Sequence, residues 1–370
     1  MAQSCKLSSE LGIFLLPFHY DSFVYGSKKT TKHRFIIPRA LTSHSLPALF
    51  DHLIALIKLL PLPFKTSLLK EFIPLKEIYL HRRAPRICII GDRMRSGVSL
   101  FSEWGAGKLT NEPSENGWSK VTSSNKAEIF LFDARSHDPA GLFLPPLIEP
   151  SPDFVLVFSG ASDFSHIAHS EPFADFPGVP VFQLSTPSEH TKPRSTDLPL
   201  SLGEKEWQAL LCASLPFAAQ LEFARFFSAK RAQAYIASTL LKSFGAVSGA
   251  VGMQPIPLAD LPILFSIQAT MVALIIHTSG RPASIRLATE FLAALGVSAG
   301  VGFVFRETAR VLLRFIPVWG NAISGLIAGT GTYAIGRAAI AYFIDDSPLV
   351  ESRRIFLSLM KAQKKPILKS

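Results

Sequence analysis

The sequence is poor in cysteine and in charge. Its three cysteines, Cys5, Cys88 and Cys212, are isolated and odd in number. They form neither a metal-binding spacing nor a disulfide framework, so we expect no metal site and a reducing compartment. Charged residues make up 18% of the 370 residues and apolar residues 48%, with a mean hydropathy of +0.28. That is unusually apolar for a soluble protein, whose charged fraction is about a quarter.

Acidic residues are outnumbered by basic ones, 28 to 38, which gives a net charge of +10. This balance favours an anionic partner, and both nucleic acid and anionic lipid fit it. Because no nucleic-acid-binding module is recognisable, we expect lipid and no nucleic acid. The first fifty residues contain only two acids, Glu10 and Asp21. These residues lack the pattern of a secretory signal. Their basic composition predicts a basic N-terminal arm, with an organellar transit peptide as the alternative.

Four zones follow one another along the chain. Residues 1–83 combine the basic arm with two or three short helices, because apolar residues recur at helical spacing and the pattern is broken by Pro61, Pro63 and Pro74. Residues 84–215 alternate between predicted strands and helices. Residues 216–344 are helical and very apolar, and residues 345–370 return to charge as a basic tail that stays solvated or lies on an anionic surface.

The second zone predicts a layered α/β domain with a mostly parallel sheet. Four short apolar runs, each bounded by turn-forming residues, are typical of strands buried on both faces. They lie at residues 86–91, 128–134, 153–162 and 179–185, and an amphipathic helix at 203–215 closes the unit. This order of elements predicts an α/β architecture followed by an all-α hydrophobic domain.

The first strand leads into a segment with the layout of a phosphate-binding loop, in "RICIIGDRMRSGVSLF". Such a loop needs a glycine after the strand, a lysine that reaches the phosphates and a hydroxyl that holds Mg²⁺. Gly91 and Ser99 fit the first glycine and the hydroxyl, but the lysine position holds Gly97 or Val98, depending on the alignment. Arg93 or Arg95 could supply positive charge, although a bulky arginine is no substitute for that lysine. The segment therefore predicts a vestigial nucleotide site.

The other elements of a nucleotide site are eroded as well. Asp133 follows the second strand, where a metal-binding aspartate is expected, but the sequence continues Ala-Arg-Ser without the usual glycine. The position of a guanine-reading motif, residues 185–188, holds Ser-Thr-Pro-Ser. A glycine–lysine pair also occurs within residues 105–110, "GAGKLT". This segment lies too far beyond the strand to cradle phosphate, and we interpret it as a loop. We therefore expect no catalytic residue and no resident cofactor.

The third zone contains three long uncharged stretches, at residues 261–280, 291–305 and 315–336. A membrane-spanning helix needs ~20 apolar residues, a length that the first and third stretches reach. The third is crowded with glycine and alanine, and small residues allow helices to approach closely. The stretches fit either membrane hairpins or a tightly packed helical bundle.

The order of these segments resembles two known families. Residues 86–215 resemble the Era-type branch of the translation-factor-like GTPases. The segments "GMQPIPLADLPILFSIQATMVALI", "RFIPVWGNAISGLIAG" and "YAIGRAAIAYF" resemble the hydrophobic helical domain of unknown function that follows bacterial GTPase domains and occurs in YcjF-like inner-membrane proteins. The resemblance implies a P-loop-NTPase-like fold, nucleotide-site positions at Gly91, Ser99 and Asp133, and attachment to the cytoplasmic face of a bacterial inner membrane.

Three functional hypotheses follow from this pattern. The leading one is a membrane-associated pseudo-GTPase or scaffold without catalytic activity, whose helical domain binds lipid, protein partners or both. The first alternative is an active GTPase that binds GTP and Mg²⁺ through its atypical loop. The second alternative is a soluble, cytoplasmic interaction protein whose C-terminal helices form a bundle. Homo-oligomerisation is compatible with all three.

Overall fold

The structure of the protein is a computed structural model. It describes residues 13–15, 36–38, 46–58, 62–91, 97–133, 150–159, 179–185, 197–199, 206–253, 260–296 and 320–367. The chain divides into two compact units. The helical unit comprises residues 1–73, 237–277 and 281–370, and the α/β unit comprises residues 74–236 and 278–280.

The described elements are distributed along the whole chain. The strands are β1 (Ile13–Leu15), β2 (Ile36–Pro38), β3 (Arg86–Gly91), β4 (Leu109–Pro113), β5 (Ser119–Ser123), β6 (Glu128–Asp133), β7 (Phe154–Ser159), β8 (Val181–Ser185) and β9 (Asp197–Pro199). The helices are α1 (Leu46–Lys58), α2 (Leu62–Tyr79), α3 (Gly97–Phe101), α4 (Glu206–Ser214), α5 (Phe217–Phe226), α6 (Lys230–Gly252), α7 (Asp260–Thr278), α8 (Ile285–Ala294), α9 (Gly320–Phe343) and α10 (Leu349–Ile367). A π-helical turn (Ser102–Ala106) continues α3.

The α/β unit is built on a seven-stranded sheet with the order β4-β5-β6-β3-β7-β8-β9. The five strands from β6 to β9 pair in parallel, whereas β4 and β5 are antiparallel. The four runs predicted as strands are β6, β3, β7 and β8 at the centre of this sheet, which confirms the α/β prediction. Ile87, Cys88 and Ile89 of β3 are fully buried, as expected for a strand covered on both faces.

The β4–β5 hairpin was not predicted. Residues 105–110, interpreted from sequence as a loop, span the end of the π-helical turn and the first residues of β4. The strand escaped prediction because it is the edge strand of the sheet and its residues, Leu-Thr-Asn-Glu-Pro, are largely exposed. An edge strand with no buried face carries no apolar alternation to detect.

The described part of the N-terminal zone, for which two or three short helices were predicted, contains the helices α1 and α2. Pro63 lies in the first turn of α2, where its missing N–H costs nothing. Pro74 was predicted to break the helix but lies within α2, and Leu75 and Ile78 beyond it are fully buried. The burial of this last turn stabilises the helix beyond its proline. In the segment predicted as a basic arm, β1 and β2 form a short antiparallel ladder.

In the helical unit, α6 and α9 run antiparallel with their glycines in contact. A Cβ placed on Gly329 would lie 2.9 Å from the carbonyl oxygen of Gly245, and one on Gly325 would lie 2.7 Å from that of Gly249. The close approach expected from the small residues of α9 is therefore present. Helix α7 has almost no exposed surface between Ile267 and Ile276. Its Gln268 donates a hydrogen bond to Thr332 of α9, with 3.2 Å between Nε2 and Oγ1.

The predicted apolar stretches have helical counterparts wherever the structure describes them. Residues 261–280 largely coincide with α7 and residues 315–336 overlap α9, whereas residues 297–305 lie outside the described part. Among the residues that the structure describes, none of the helices combines the length and the apolar character needed to cross a bilayer. Within the zone predicted as a basic tail, residues 349–367 form helix α10, which packs against α9.

Candidate nucleotide site

The parallel strands β3 and β6 bring three of the predicted site residues to one edge of the sheet. Gly91 ends β3, Asp133 ends β6, and Gly97 begins α3. The two strands are neighbours in register, with Ile89 opposite Asp133. Because the carboxyl ends of parallel strands meet at the same edge, the layout of strand, loop and helix resembles a phosphate-binding loop. Arg95 lies outside the described residues.

The N-terminus of α3 is bonded to a carboxylate of the protein itself. The Gly97 N–H donates a hydrogen bond to Oδ2 of Asp133, with 3.0 Å between the two atoms. The first N–H groups of a helix have no partner within the helix, and the helix dipole favours negative charge at this end. Asp133 therefore supplies both the acceptor and the charge that a bound phosphate would otherwise supply.

Gly97 is tightly enclosed by the sheet. A Cβ at this position would lie 2.8 Å from Cδ1 of Ile89 and 3.0 Å from Cδ2 of Leu131. Both distances are shorter than ordinary contacts, so any side chain here requires the core to shift. In the alignment that assigns the lysine position to Gly97, a lysine would have to displace these two buried side chains.

Ser99, the candidate for the Mg²⁺ hydroxyl, is exposed on α3. Gly97, Leu100 and Phe101 form the buried face of this short helix. Two residues along an α-helix are about 200° apart around its axis. Ser99 thus lies on a different face of α3 from the residue that Asp133 contacts.

Cys88 lies beneath this edge of the sheet and is fully buried. Burial, and secondly the charge of Asp133, raise the pKa of the Cys88 thiol. A thiol that holds its proton is a poor nucleophile and a poor metal ligand. Within the described residues, no group of three or more histidine, cysteine or acidic side chains could hold a metal ion. Among the residues described at this edge, the contact that the structure shows is the cap of α3 by Asp133.

The amino-terminal ends of β3 and β7 carry an ion-pair cluster that no local sequence pattern predicts. Asp153, which is buried, accepts hydrogen bonds from Nη1 and Nη2 of Arg83 at 2.8 and 2.5 Å. The backbone N–H of Arg86 donates to the same carboxylate at 2.8 Å. The hydrogen bond to Asp153 raises the pKa of Arg83, whereas desolvation lowers that of Arg86. Because Arg86 begins β3 and Asp153 precedes β7, the cluster ties the starts of two adjacent strands together.

Comparison with known proteins adds no identification: no family model and no curated protein matches the chain. The resemblances to Era-type GTPases and to YcjF-like proteins therefore stay predictions. The class that the described residues define is coarser. It is an α/β unit with a mostly parallel sheet, together with a helical unit in which the C-terminal helices lie.

Proposed function

We propose that this protein is a membrane-associated pseudo-GTPase, a scaffold whose α/β unit has no catalytic activity. The observation that carries the proposal is the hydrogen bond between the Gly97 N–H and the Asp133 carboxylate. In both alignments of the loop, the amide of Gly97 is one of those that would cradle the nucleotide phosphates. In this chain that amide is already paired with an anion.

A nucleotide would have to compete with Asp133 for this amide. Displacing the carboxylate breaks a hydrogen bond at a helix N-terminus, a cap whose loss costs about 0.5–2 kcal/mol. The displaced carboxylate would then repel the incoming phosphates in a partly buried site, because like charges interact strongly where water is scarce. No lysine stands in either of its two aligned positions to offset that repulsion.

The membrane part of the proposal is supported by charge and by the resemblance of the C-terminal segments. The net charge of +10 favours an anionic surface, and the apolar helical unit is the part that resembles inner-membrane proteins. We propose attachment to the cytoplasmic face of the membrane, with lipid and protein partners bound through the helical unit.

Calorimetric titration of the purified protein with GTP and with GDP, each with Mg²⁺, tests the nucleotide part. We expect no binding heat at millimolar nucleotide and no phosphate release from GTP. Micromolar binding that is abolished by Arg95→Ala or Ser99→Ala would overturn the proposal and indicate an active GTPase. Ser102→Ala is the matched control, because Ser102 is an exposed serine in the following turn whose hydroxyl bonds the Gly107 carbonyl.

The Asp133→Ala variant distinguishes a structural cap from a metal ligand. If Asp133 acts as a cap, the variant lowers the thermal stability of the protein in the absence of any nucleotide, because the Gly97 N–H loses its acceptor. Unchanged stability without nucleotide, together with lost Mg²⁺-dependent GTP binding, would contradict the cap.

A further inference from the structure

We propose that the exposed face of α10 is a lipid-binding surface that lies flat on an anionic bilayer. This inference rests on the membrane association in the proposed function and deepens it by naming the helix and the lipid class. Helix α10 (Leu349–Ile367) is amphipathic and packs against α9 on one side. Its other side carries the residues that argue for lipid.

The charge of this segment has one sign. Residues 352–370 contain six lysines and arginines and no acidic residue. Glu351, in the first turn of α10, is the one acid of the helix. Basic residues near a membrane surface are attracted to anionic head groups, and the attraction accumulates with their number. This is the charge complementarity that an anionic lipid surface requires.

Helix α10 has a buried side and an exposed side. Ser352 and Phe356 are buried, at 0% and 2% exposure. A second stripe is exposed and consists of Val350, Arg354, Leu357 and Lys361. Their spacing of four, three and four residues places them along one face. Apolar and basic side chains therefore alternate along the free face of α10.

The exposed apolar residues favour lipid over nucleic acid. Val350 is 81% exposed and Leu357 42% exposed, so both leave apolar surface in water. In an interfacial helix such side chains enter the boundary between head groups and acyl chains, while lysine and arginine extend to the phosphates. Nucleic acid binding would use the basic residues alone, since its backbone contacts are electrostatic. Binding to a bilayer therefore accounts for both the apolar and the basic residues of this face, whereas binding to RNA or DNA accounts for the basic residues alone.

Arg354 is available for head groups although it has an ion-pair partner. Its Nη1 lies 3.6 Å from Oε2 of Glu351, and the two side chains are 80% and 49% exposed. Exposed pairs of this kind contribute little to stability and exchange readily for other partners. A phosphate group can therefore replace Glu351 at low cost.

Cosedimentation of the full chain with vesicles tests the inference. We expect binding to vesicles of phosphatidylcholine with phosphatidylglycerol, weak or no binding to phosphatidylcholine alone, and loss of binding at high salt. Arg354→Glu should weaken binding about tenfold or more, because a negative charge replaces a positive one and the net charge of the surface falls by two. Leu357→Ser should weaken it about fivefold, because an apolar contact with the acyl boundary is lost.

Each variant has a matched control elsewhere in the chain. Arg286 of α8 is 87% exposed and pairs with Glu290 at 2.9 Å, so Arg286→Glu makes the same charge change outside α10. Leu210 of α4 is 46% exposed, close to Leu357, so Leu210→Ser removes the same side chain. Both controls should bind vesicles as the wild type does. Circular dichroism and thermal midpoints establish that all four variants are folded.

The outcomes separate this inference from the proposed function. If the α10 variants bind anionic vesicles as tightly as their controls, the α10 surface is wrong while membrane association stands. If the wild type binds neither kind of vesicle, the inference and the membrane part of the proposed function both fall, and the nucleotide titration stands alone. If Arg354→Glu weakens binding to single-stranded RNA, Leu357→Ser does not, and vesicles are not bound, the basic face serves nucleic acid and the lipid surface is overturned.

Discussion

The two units achieve close packing by opposite means. In the α/β unit, the ring of Phe227 lies within 6.3 Å, centroid to centroid, of five other aromatic rings. In the helical unit, α6 and α9 approach through glycines, so that backbone faces backbone at Gly245 and Gly329. The aromatic cluster is stabilised by the large apolar area that its rings bury. The approach of α6 to α9 is stabilised by close van der Waals contact between backbones, which the absence of side chains on the glycines permits.

The difference predicts opposite sensitivities to mutation. A cluster of large rings is weakened when a ring is removed, because a cavity remains. A glycine contact is weakened when an atom is added, because rigid backbone cannot move aside. The following predictions test this contrast. They also compare a buried with an exposed ion pair and test the titration of two buried thiols.

The largest effect is expected for Phe227→Ala. This side chain is 2% exposed, and its removal leaves a cavity among Phe101, Trp104 and Trp207. We expect a loss of about 3–5 kcal/mol in the free energy of unfolding, measured by urea denaturation with tryptophan fluorescence. Phe217→Ala is the control, because Phe217 is 44% exposed, and it should change stability by less than ~0.5 kcal/mol. Equal losses for the two variants would show that the aromatic cluster is not the core of this unit.

The second effect concerns ion pairs. Asp153→Asn removes the charge that Arg83 and Arg86 share at the amino edge of the sheet. Because the Asp153 side chain is 3% exposed but that of Arg83 is 36% exposed, we expect a loss of about 1–3 kcal/mol, less than for a fully buried pair.

The matched control for this ion pair lies in the helical unit. Glu290→Gln breaks an exposed pair with Arg286 and should cost less than ~0.5 kcal/mol. Chemical denaturation of both variants checks the difference. A loss for Asp153→Asn as small as that of its control would mean that the cluster does not hold β3 and β7 together.

The third prediction compares two glycines of α9. Alanine at Gly329 would meet the Gly245 carbonyl oxygen at 2.9 Å, whereas alanine at Gly331 would meet nothing within 4 Å. Gly329→Ala should therefore destabilise the protein by about 1–3 kcal/mol through overpacking. Gly331→Ala should stabilise it by about 0.5–1 kcal/mol through helix propensity. Thermal midpoints of the two variants should move in opposite directions, and a rise for both would refute the tight contact between α6 and α9.

The effect that is smallest at neutral pH is a pH dependence that arises from two buried thiols of the α/β unit. Burial raises the pKa of the Cys88 and Cys212 thiols above their ordinary value of 9.0. The unfolded chain therefore loses these protons first as the pH rises, and stability falls above about pH 9, by up to about 1.4 kcal/mol per pH unit for each thiol. Below that pH the thiols are protonated in both states and contribute no slope.

Substitution of both thiols isolates this contribution. The Cys88→Ala/Cys212→Ala variant should show a flatter decline in the free energy of unfolding between pH 8 and pH 10.5, whatever its stability at neutral pH. Urea denaturation at several pH values measures the slope. A slope identical to that of the wild type would assign the alkaline loss to other groups.

The parts of the fold that could be predicted are those with a local signal. Strands β3, β6, β7 and β8 are continuous apolar runs because both faces of the central sheet are buried, so their pattern is visible in the sequence. Strand β4 is polar and exposed, and only its partner β5 defines it as a strand. Pro74 illustrates the reverse case, since a local signal for a break is outweighed by burial of the residues that follow.

In the candidate site, too, the positions of residues could be predicted from local signals, whereas their contacts could not. The order of Gly91, Gly97 and Asp133 follows from strand and helix signals, and the structure brings Gly97 and Asp133 into contact. The bond between these two residues joins positions 36 apart, and no local pattern encodes that pairing. The bond between Arg83 and Asp153 spans 70 residues, and it arises from the neighbourhood of β3 and β7. Such contacts depend on strand order, which local sequence patterns do not predict.

The cap on α3 has a consequence for timing. A nucleotide at a helix terminus arrives, reacts and leaves, so its protein alternates between two states whose lifetimes are set by binding and hydrolysis. The Asp133 carboxylate belongs to the same chain as the amide that it holds. Its local concentration is set by the fold and does not depend on the concentration of any ligand. Under the proposed function, the cap would therefore favour one state of α3 at every nucleotide concentration.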